Sequence, residues 1–263
     1  MIRSGVVGWP IGHSLSPLIH GAWIDAAGLD ATYDAFAAPD EGAFDAIVEK
    51  GRDGMFRGLN VTAPWKLRAL AAADEATDTA RRAGSANLLV FRDGRVLADS
   101  TDGEGLLGAL SEQAPGLNLA GCRATILGAG GAARAAAVAL LNEGAAVGVL
   151  NRGAERLREL VDDLGVVPQT PDDLGAADLV INALPVAPEL DVRRLKASAT
   201  VMDMTYRPLI TPILGAARDR GLTIVDGLAM LIGQARPSFA AIFGRAAPDV
   251  DVRAGCLSVL EGS

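Results

Sequence analysis

Short apolar runs alternate with stretches of helical periodicity along almost the whole chain. Residues 5–8 read as a strand punctuated by glycine. Ser16-Pro17 opens a helix to Gly28, with serine as N-cap, proline at the first helical position and glycine as the stop. Residues 31–36 alternate as a strand, 41–51 are helical, 58–62 form a strand, and Pro64 opens a further helix through Trp65, Leu67 and Leu70. Residues 87–91 and 95–98 read as a hairpin around Asp93-Gly94. A second series follows: helix 103–114, strand 123–127, alanine-rich helix 131–142, strand 147–150, helix 154–164, then short apolar runs at 179–182, 200–204 and 222–225. The end, from 228 to 243 and beyond, is helical with an interruption at Pro237. Strands alternating with helices in this way predict an α/β fold with parallel sheets covered on their faces.

Length and composition narrow the class. A chain of 263 residues accommodates about two domains. The expected division is a substrate-binding domain at 1–101, completed by C-terminal helices 228–263, and a Rossmann-like nucleotide-binding domain at 102–227. A formal net charge of −8 argues against nucleic acid or an anionic membrane surface as a partner. Two cysteines, Cys122 and Cys256, make neither a disulfide framework nor a zinc pattern, and buried thiols are the plainer reading. The uncharged run from Ser4 to Ile24 is broken by Pro10, Pro17 and both histidines, so no membrane span is expected there. Residues 1–5 carry no secretory n-region, and the cytoplasm is the expected location. His13 and His20 are too few for a metal site; local hydrogen bonding is their expected use.

Candidate chemistry sits where strands give way to helices. Lys66 follows the strand ending in Asn60-Val61-Thr62, and a cation there opposes the helix dipole, which a purely structural lysine would avoid. Asp102, in Ser100-Thr101-Asp102-Gly103, precedes a helix and reads either as an N-cap or as a carboxylate partner for Lys66. Such an ammonium–carboxylate couple can move a proton. Gly128-Ala129-Gly130-Gly131-Ala132-Ala133 lies between a strand and a long helix, the setting of a pyrophosphate-binding loop. The next strand ends in Asn151-Arg152 rather than an acid, and with Arg156 this favours NADP over NAD. For Arg156 a solvated helix position is an equally good reading. Ser14 and Ser16, at a helix start, offer an uncharged carboxylate site.

These motifs resemble shikimate dehydrogenases. The segments that carry the likeness are Gly8 to Pro17, Asn60 to Lys66, Gly84-Ser85-Ala86-Asn87, Thr101-Asp102-Gly103, Asn151-Arg152 with Arg156, Met202 to Pro212 and Asp226 to Ala235. The resemblance implies two α/β domains with NADP(H) in the cleft. It implies the reversible reduction of 3-dehydroshikimate to shikimate, towards chorismate and the aromatic amino acids. It makes Lys66 and Asp102 the catalytic pair. Ser14, Ser16, Thr62, Lys66, Asn87, Asp102, Tyr206 and Gln234 become the substrate contacts. Gly128, Ala129, Gly130, Gly131, Ala132, Asn151, Arg152, Arg156, Met204 and Gly227 become the cofactor contacts. No metal, nucleic acid or membrane partner is implied, and a monomer or homodimer is expected. Leu88 after Asn87, Gly153 near the 2′-phosphate site, and the loop Asn182-Ala183-Leu184-Pro185-Val186 depart from the family pattern. A quinate/shikimate dehydrogenase using NAD or NADP, and a non-catalytic shikimate-sensing relative, are the alternatives.

Overall fold

The computed structural model describes residues 1–188 and 190–262, so Ser263, the last residue of the expected C-terminal segment, lies outside the described residues. The chain divides into two compact units, Met1–Thr101 with Gln234–Ser263, and Asp102–Gly233.

The first unit runs β1 (Ile2–Gly8), α1 (Ser16–Ala26), β2 (Ala31–Ala37), α2 (Glu41–Arg52), β3 (Gly58–Val61), α3 (Lys66–Ala71), β4 (Glu75–Ala76), α4 (Asp78–Ala83), β5 (Leu88–Arg92) and β6 (Arg95–Asp99). Its sheet has the order β2-β1-β3-β5-β6-β4. β1 pairs in parallel with β2 and β3, whereas β5 is antiparallel to both β3 and β6. The register sets Val7 beside Val61, Asn60 beside Leu88, and Leu88 beside Asp99. The exits of β1, β3 and β6 and the entry of β5 therefore share one end of the sheet. Phe44, Val48, Phe56, Leu59, Leu89 and Phe91 form one apolar group on this sheet. A second group gathers around α1, where Trp23 meets Phe239 edge to face at 5.7 Å.

The second unit runs α5 (Asp102–Gln113), β7 (Arg123–Leu127), α6 (Gly131–Asn142), β8 (Ala146–Leu150), α7 (Ala154–Leu164), β9 (Val167–Pro168), β10 (Leu179–Asn182), β11 (Thr200–Asp203), α8 (Pro212–Asp219) and β12 (Thr223–Val225). α9 (Gly227–Phe243) begins in this unit, and α10 (Val252–Glu261) belongs to the first. The sheet order is β12-β11-β10-β7-β8-β9, parallel throughout. This is the doubly wound arrangement, and its order reverses between β7 and β10, where a crevice opens beyond the strand ends. Leu106, Leu140, Ile126 and Ile181 are fully buried between helices and sheet.

Several local expectations shift. α1 has Leu15 as its capping residue with no side-chain cap, and Ser16 is already helical; the Ser16 N–H donates to Ser14 Oγ at 3.3 Å. Pro64 and Trp65 lie in a turn, so α3 starts at Lys66. α5 starts at Asp102 itself. α9 runs unbroken through Pro237. That proline withdraws only the N–H facing the Gly233 carbonyl, and the buried residues Leu228, Ala229, Ile232, Ala235, Phe239 and Ile242 hold both halves of the helix in place. The pairs β4 and β9 are too short to show periodicity and were not expected. α4 and α8 were also missed, although Thr211-Pro212 is a helix-start signal. Among the described residues no helix is long and apolar enough to cross a membrane, and no cluster of metal-ligating side chains is present. Both thiols are buried, which pushes them up to about 11.

His20 does not make the local hydrogen bonds expected of it at its Nδ1 atom, which is buried without a partner. The ring instead stacks on Tyr33 with centroids 4.0 Å apart and planes 2° from parallel. Burial lowers its pKa from 6.5 to about 3. The unfolded imidazole takes up a proton below 6.5 while the folded one stays neutral, so acid favours unfolding. This group is expected to remove roughly 1.4 kcal/mol of stability per pH unit below about pH 6, most cleanly between about pH 6 and about pH 5, before carboxylates titrate extensively. Urea titrations at stepped pH should show a flatter slope for His20→Phe; an unchanged slope would place the acid sensitivity elsewhere.

Asp203 ends β11 with its side chain buried. Its Oδ1 accepts from Asn182 Nδ2 at 3.0 Å and from the Thr205 N–H at 2.9 Å. Its Oδ2 accepts from the Thr211 hydroxyl at 2.7 Å. One carboxylate thus joins the ends of β10 and β11 to the start of α8, and sets the course of the segment that carries Met204 and Tyr206. Asp203→Ala strands three donors and is expected to cost about 3 kcal/mol, against about 1 kcal/mol for Thr211→Val, which removes only one. Denaturant midpoints compare the two; equal losses would show that the carboxylate is not the centre of the group.

Candidate active site

In the first unit the candidate residues collect at the shared end of the sheet. The segment after β1 carries Ser14, and Ser16 as the first residue of α1. The segment after β3 carries Thr62, and Lys66 as the first residue of α3, and its course is pinned: the Thr62 N–H donates to the Val7 carbonyl at 3.0 Å, and Trp65 Nε1 donates to the Ala38 carbonyl at 2.8 Å. Lys66 is half-buried, and its carbonyl accepts from the Ala86 N–H at 2.9 Å, which places it beside the segment leading to Asn87.

Asn87, 3% exposed, is the centre of this end. Its Nδ2 donates to Gln234 Oε1 at 2.8 Å and to the Thr101 hydroxyl at 3.0 Å. Its Oδ1 accepts from the Thr101 N–H at 2.7 Å. These partners determine which end of the amide is oxygen and which is nitrogen. Gln234 arrives on α9, and Ser238 one turn later on the same face, where its hydroxyl lies 3.2 Å from that of Thr101. Asn60 Nδ2 donates to Ser238 Oγ at 2.9 Å and to the Asn87 carbonyl at 3.1 Å. Tyr33 closes the group by donating to Asn60 Oδ1 at 2.7 Å. Burial holds the Tyr33 phenol well above its ordinary pKa, against a smaller opposing effect of the nearby Ser16 hydroxyl. Tyr33, Asn60, Ser238, Thr101, Asn87 and Gln234 are thus joined in one hydrogen-bonded network.

In the second unit, Gly128 follows β7 with φ +108°, a conformation open to glycine, and a Cβ there would lie 3.0 Å from Leu184. Gly130 precedes α6 in extended backbone without a side-chain cap, so the N–H groups that follow have no local side-chain acceptor. No atom lies within 4 Å of where its Cβ would be, which leaves room for a ligand's pyrophosphate to approach the backbone. Ala129 and Ala132 are partly exposed on this turn. Ala133, fully buried, takes the third small-residue place, where helix and strand pack closely.

Beside this loop lies a cavity of about 520 Å³ whose lining includes Leu127, Leu150, Asn151, Arg152, Leu184 and Pro188. Its apolar walls and the cationic rim at Arg152 fit the adenosine end of a phosphorylated dinucleotide. Asn151 Nδ2 donates to the Gly153 carbonyl at 2.8 Å and closes the turn that presents Arg152. Gly153 precedes α7 without a side-chain cap, and Arg156 is exposed in the first turn of that helix. The helix dipole and two guanidinium groups favour an anion at this position. The departing loop contributes Leu184 and Val186 to the apolar lining. Gly227 packs against the Met204 backbone so closely that a Cβ would stand 2.5 Å from the Met204 carbonyl oxygen. Asp226 begins α9 by accepting from the Ala229 N–H at 2.9 Å. Asp102 is buried at the start of α5, and Tyr206 is half-buried in the segment after β11. Lys66 and Asp102 belong to different units.

Tyr33, Asn60, Thr101 and Ser238 were not singled out from the sequence. Asn60 sits two residues before Thr62 in a strand, and Ser238 sits four after Gln234 in a helix, so each shares a face with an expected contact. Tyr33 is one of only two tyrosines. Nothing local signals its partners, which come from elements distant in sequence.

Comparison with known proteins gives a consistent answer. The family model described as the shikimate dehydrogenase substrate binding domain matches residues 6–89. The model described as shikimate / quinate 5-dehydrogenase matches residues 109–204. The NADP(+) shikimate dehydrogenase of Caulobacter vibrioides is 50% identical over 98% of this chain and 96% of its own. A shikimate 5-dehydrogenase of Thermus thermophilus, solved with NADP(H) and shikimate, aligns with a TM-score of 0.91 at 34% identity, over 99% of this chain and 100% of its own. A quinate dehydrogenase of Corynebacterium glutamicum, solved with NAD, aligns with a TM-score of 0.89 at 28% identity, over 98% of this chain and 99% of its own. A doubly wound unit with a glycine-rich turn, a second unit with hydroxyl, amide and lysine side chains at one sheet end, and these likenesses agree: the chain belongs to the shikimate dehydrogenase family.

Proposed function

We propose that the chain catalyses the reversible NADPH-dependent reduction of 3-dehydroshikimate to shikimate. The observation that carries this reading is the gathering of Asn87, Gln234 and the Lys66 segment at one end of the first sheet, the end where the segment carrying Ser14 and Ser16 leaves β1. Ser14 and Ser16 hold the substrate carboxylate with neutral donors at the start of α1, and Tyr206 assists. Thr62, Asn87 and Gln234 receive the ring hydroxyls. Bound NADPH supplies the hydride that reduces the carbonyl carbon. Lys66 Nζ stabilises the negative charge that grows on the carbonyl oxygen and gives it a proton. Asp102 keeps the lysine charged and oriented, and in the oxidative direction Lys66 takes the hydroxyl proton back. Gly128, Gly130 and Gly131 approach the pyrophosphate with backbone N–H groups, and Asn151, Arg152 and Arg156 meet the 2′-phosphate.

The direct test follows absorbance of the reduced nicotinamide with shikimate as donor and NADP+ as acceptor. Parallel runs with quinate and with NAD separate this reading from a quinate dehydrogenase. Lys66→Ala is expected to lower kcat at least about 100-fold with little change in KM for shikimate, because general acid–base catalysis is lost while binding groups remain. A raised KM with intact kcat would reject the proton-transfer role. Arg152→Ala is expected to raise KM for NADP+ about tenfold and to leave KM for NAD unchanged, as fits loss of one charge-assisted pair. A parallel rise for both cofactors would remove Arg152 from 2′-phosphate recognition.

A further inference from the structure

We propose that Ser238 is a positioning residue for Gln234: its buried hydroxyl sets the sense of the hydrogen bonds that leave the Gln234 amide nitrogen as the end offered to substrate. The proposal deepens the reading above and rests on Gln234 as a substrate contact.

Ser238 is fully buried on α9, and its Oγ meets three neighbours. It accepts from Asn60 Nδ2 at 2.9 Å, donates to the Gln234 carbonyl at 3.1 Å, and lies 3.2 Å from the Thr101 hydroxyl. Asn60 acts here only as a donor. Its Oδ1 accepts from the Tyr33 phenol at 2.7 Å, and its nitrogen also serves the Asn87 carbonyl at 3.1 Å. Between the Thr101 and Ser238 hydroxyls, either oxygen could donate by distance alone. A serine hydroxyl has one proton. Here it goes to the Gln234 carbonyl, so the Thr101 proton goes to Ser238.

That choice propagates. With its proton towards Ser238, Thr101 turns lone pairs to Asn87 Nδ2, 3.0 Å away. The same nitrogen donates to Gln234 Oε1 at 2.8 Å. The Gln234 oxygen is thus engaged inside the network, and Nε2 is the end that meets a ligand. The matching ligand atom is an accepting oxygen, a hydroxyl or carbonyl of the substrate ring. The Gln234 rotamer is selected before the ligand binds, and its ordering is not charged against affinity. Without the Ser238 oxygen, the Thr101 proton turns to Asn87 Oδ1 at 3.3 Å, and Asn60 loses an acceptor. A proton directed there weakens the bond from Asn87 Nδ2 to Thr101, and the Gln234 amide is no longer held to one orientation.

A double-mutant cycle on the full chain, with shikimate and NADP+, tests this. Ser238→Ala removes only the hydroxyl. It is expected to raise KM for shikimate about fivefold, the loss of one pre-ordered side chain, with kcat and KM for NADP+ within about twofold of the parent. Gln234→Met removes the amide at similar size and is expected to raise KM for shikimate further. In that background Ser238→Ala should add less than about twofold. An undiminished effect there, or a matching rise in KM for NADP+, would show a general packing role and overturn the proposal. An unchanged KM in Ser238→Ala, when Gln234→Met raises it, would overturn the proposal and leave the reading of Gln234 standing. If Gln234→Met leaves KM unchanged, that reading falls and this proposal falls with it. No turnover of shikimate by the parent would overturn both. Should Ser238→Ala not fold, Ser238→Cys, close in size and weak as donor and acceptor, takes its place in the same cycle with the same expected and overturning outcomes.

Discussion

A buried carboxamide governs the first unit. Asn87 joins the start of β5, the exit of β6 through Thr101 and the helix that brings Gln234 back from the far end of the chain. Each of these groups lies where water is scarce, so a missing partner costs about 1–3 kcal/mol. The network is therefore satisfied as a whole or damaged as a whole. That property lets short polar side chains hold defined positions at the mouth of a sheet whose flanks are packed with phenylalanine and leucine.

The second unit solves a related problem with a charge. Asp203 collects donors from three segments whose strands end side by side, and Asp226 does the same for the start of α9. Their carboxylates are structural, although both belong to motifs that also carry expected contacts. Buried acids in a nucleotide-binding unit would repel a phosphate if left bare. Here their oxygens are occupied by N–H and O–H donors, while the backbone N–H groups at the start of α6 have no side-chain cap.

Placement rather than formal charge sets the character of the proposed substrate end. The chain carries net charge −8, and serine hydroxyls at the start of α1 offer a carboxylate neutral donors backed by a helix dipole. In the proposed reaction the local cations are Arg152 and Arg156 for a phosphate and Lys66 for the developing oxyanion. The apolar loop at Leu184 and Val186, where the family pattern has small polar residues, extends the cavity wall and leaves the glycine-rich turn intact.

The sequence by itself determined the alternation of strands and helices, the hairpin at Asp93-Gly94 and the glycine-rich turn, and it named the candidate site residues. These are local: turn chemistry, periodicity and small-residue spacing act over a few neighbours. Its errors were local as well, as at Pro237, where the burial of a whole helix outweighed one lost N–H. Tertiary structure alone decided that Tyr33, Asn60 and Ser238 meet, that His20 stacks on a phenol instead of pairing at Nδ1, and that the Asp203 carboxylate joins three segments. Asn60 and Ser238 stand 178 residues apart, and no pattern in either neighbourhood names the other. Their hydrogen bond exists because strand register and helix packing close the distance, and those are set by the sum of many weak burial contacts over the whole chain.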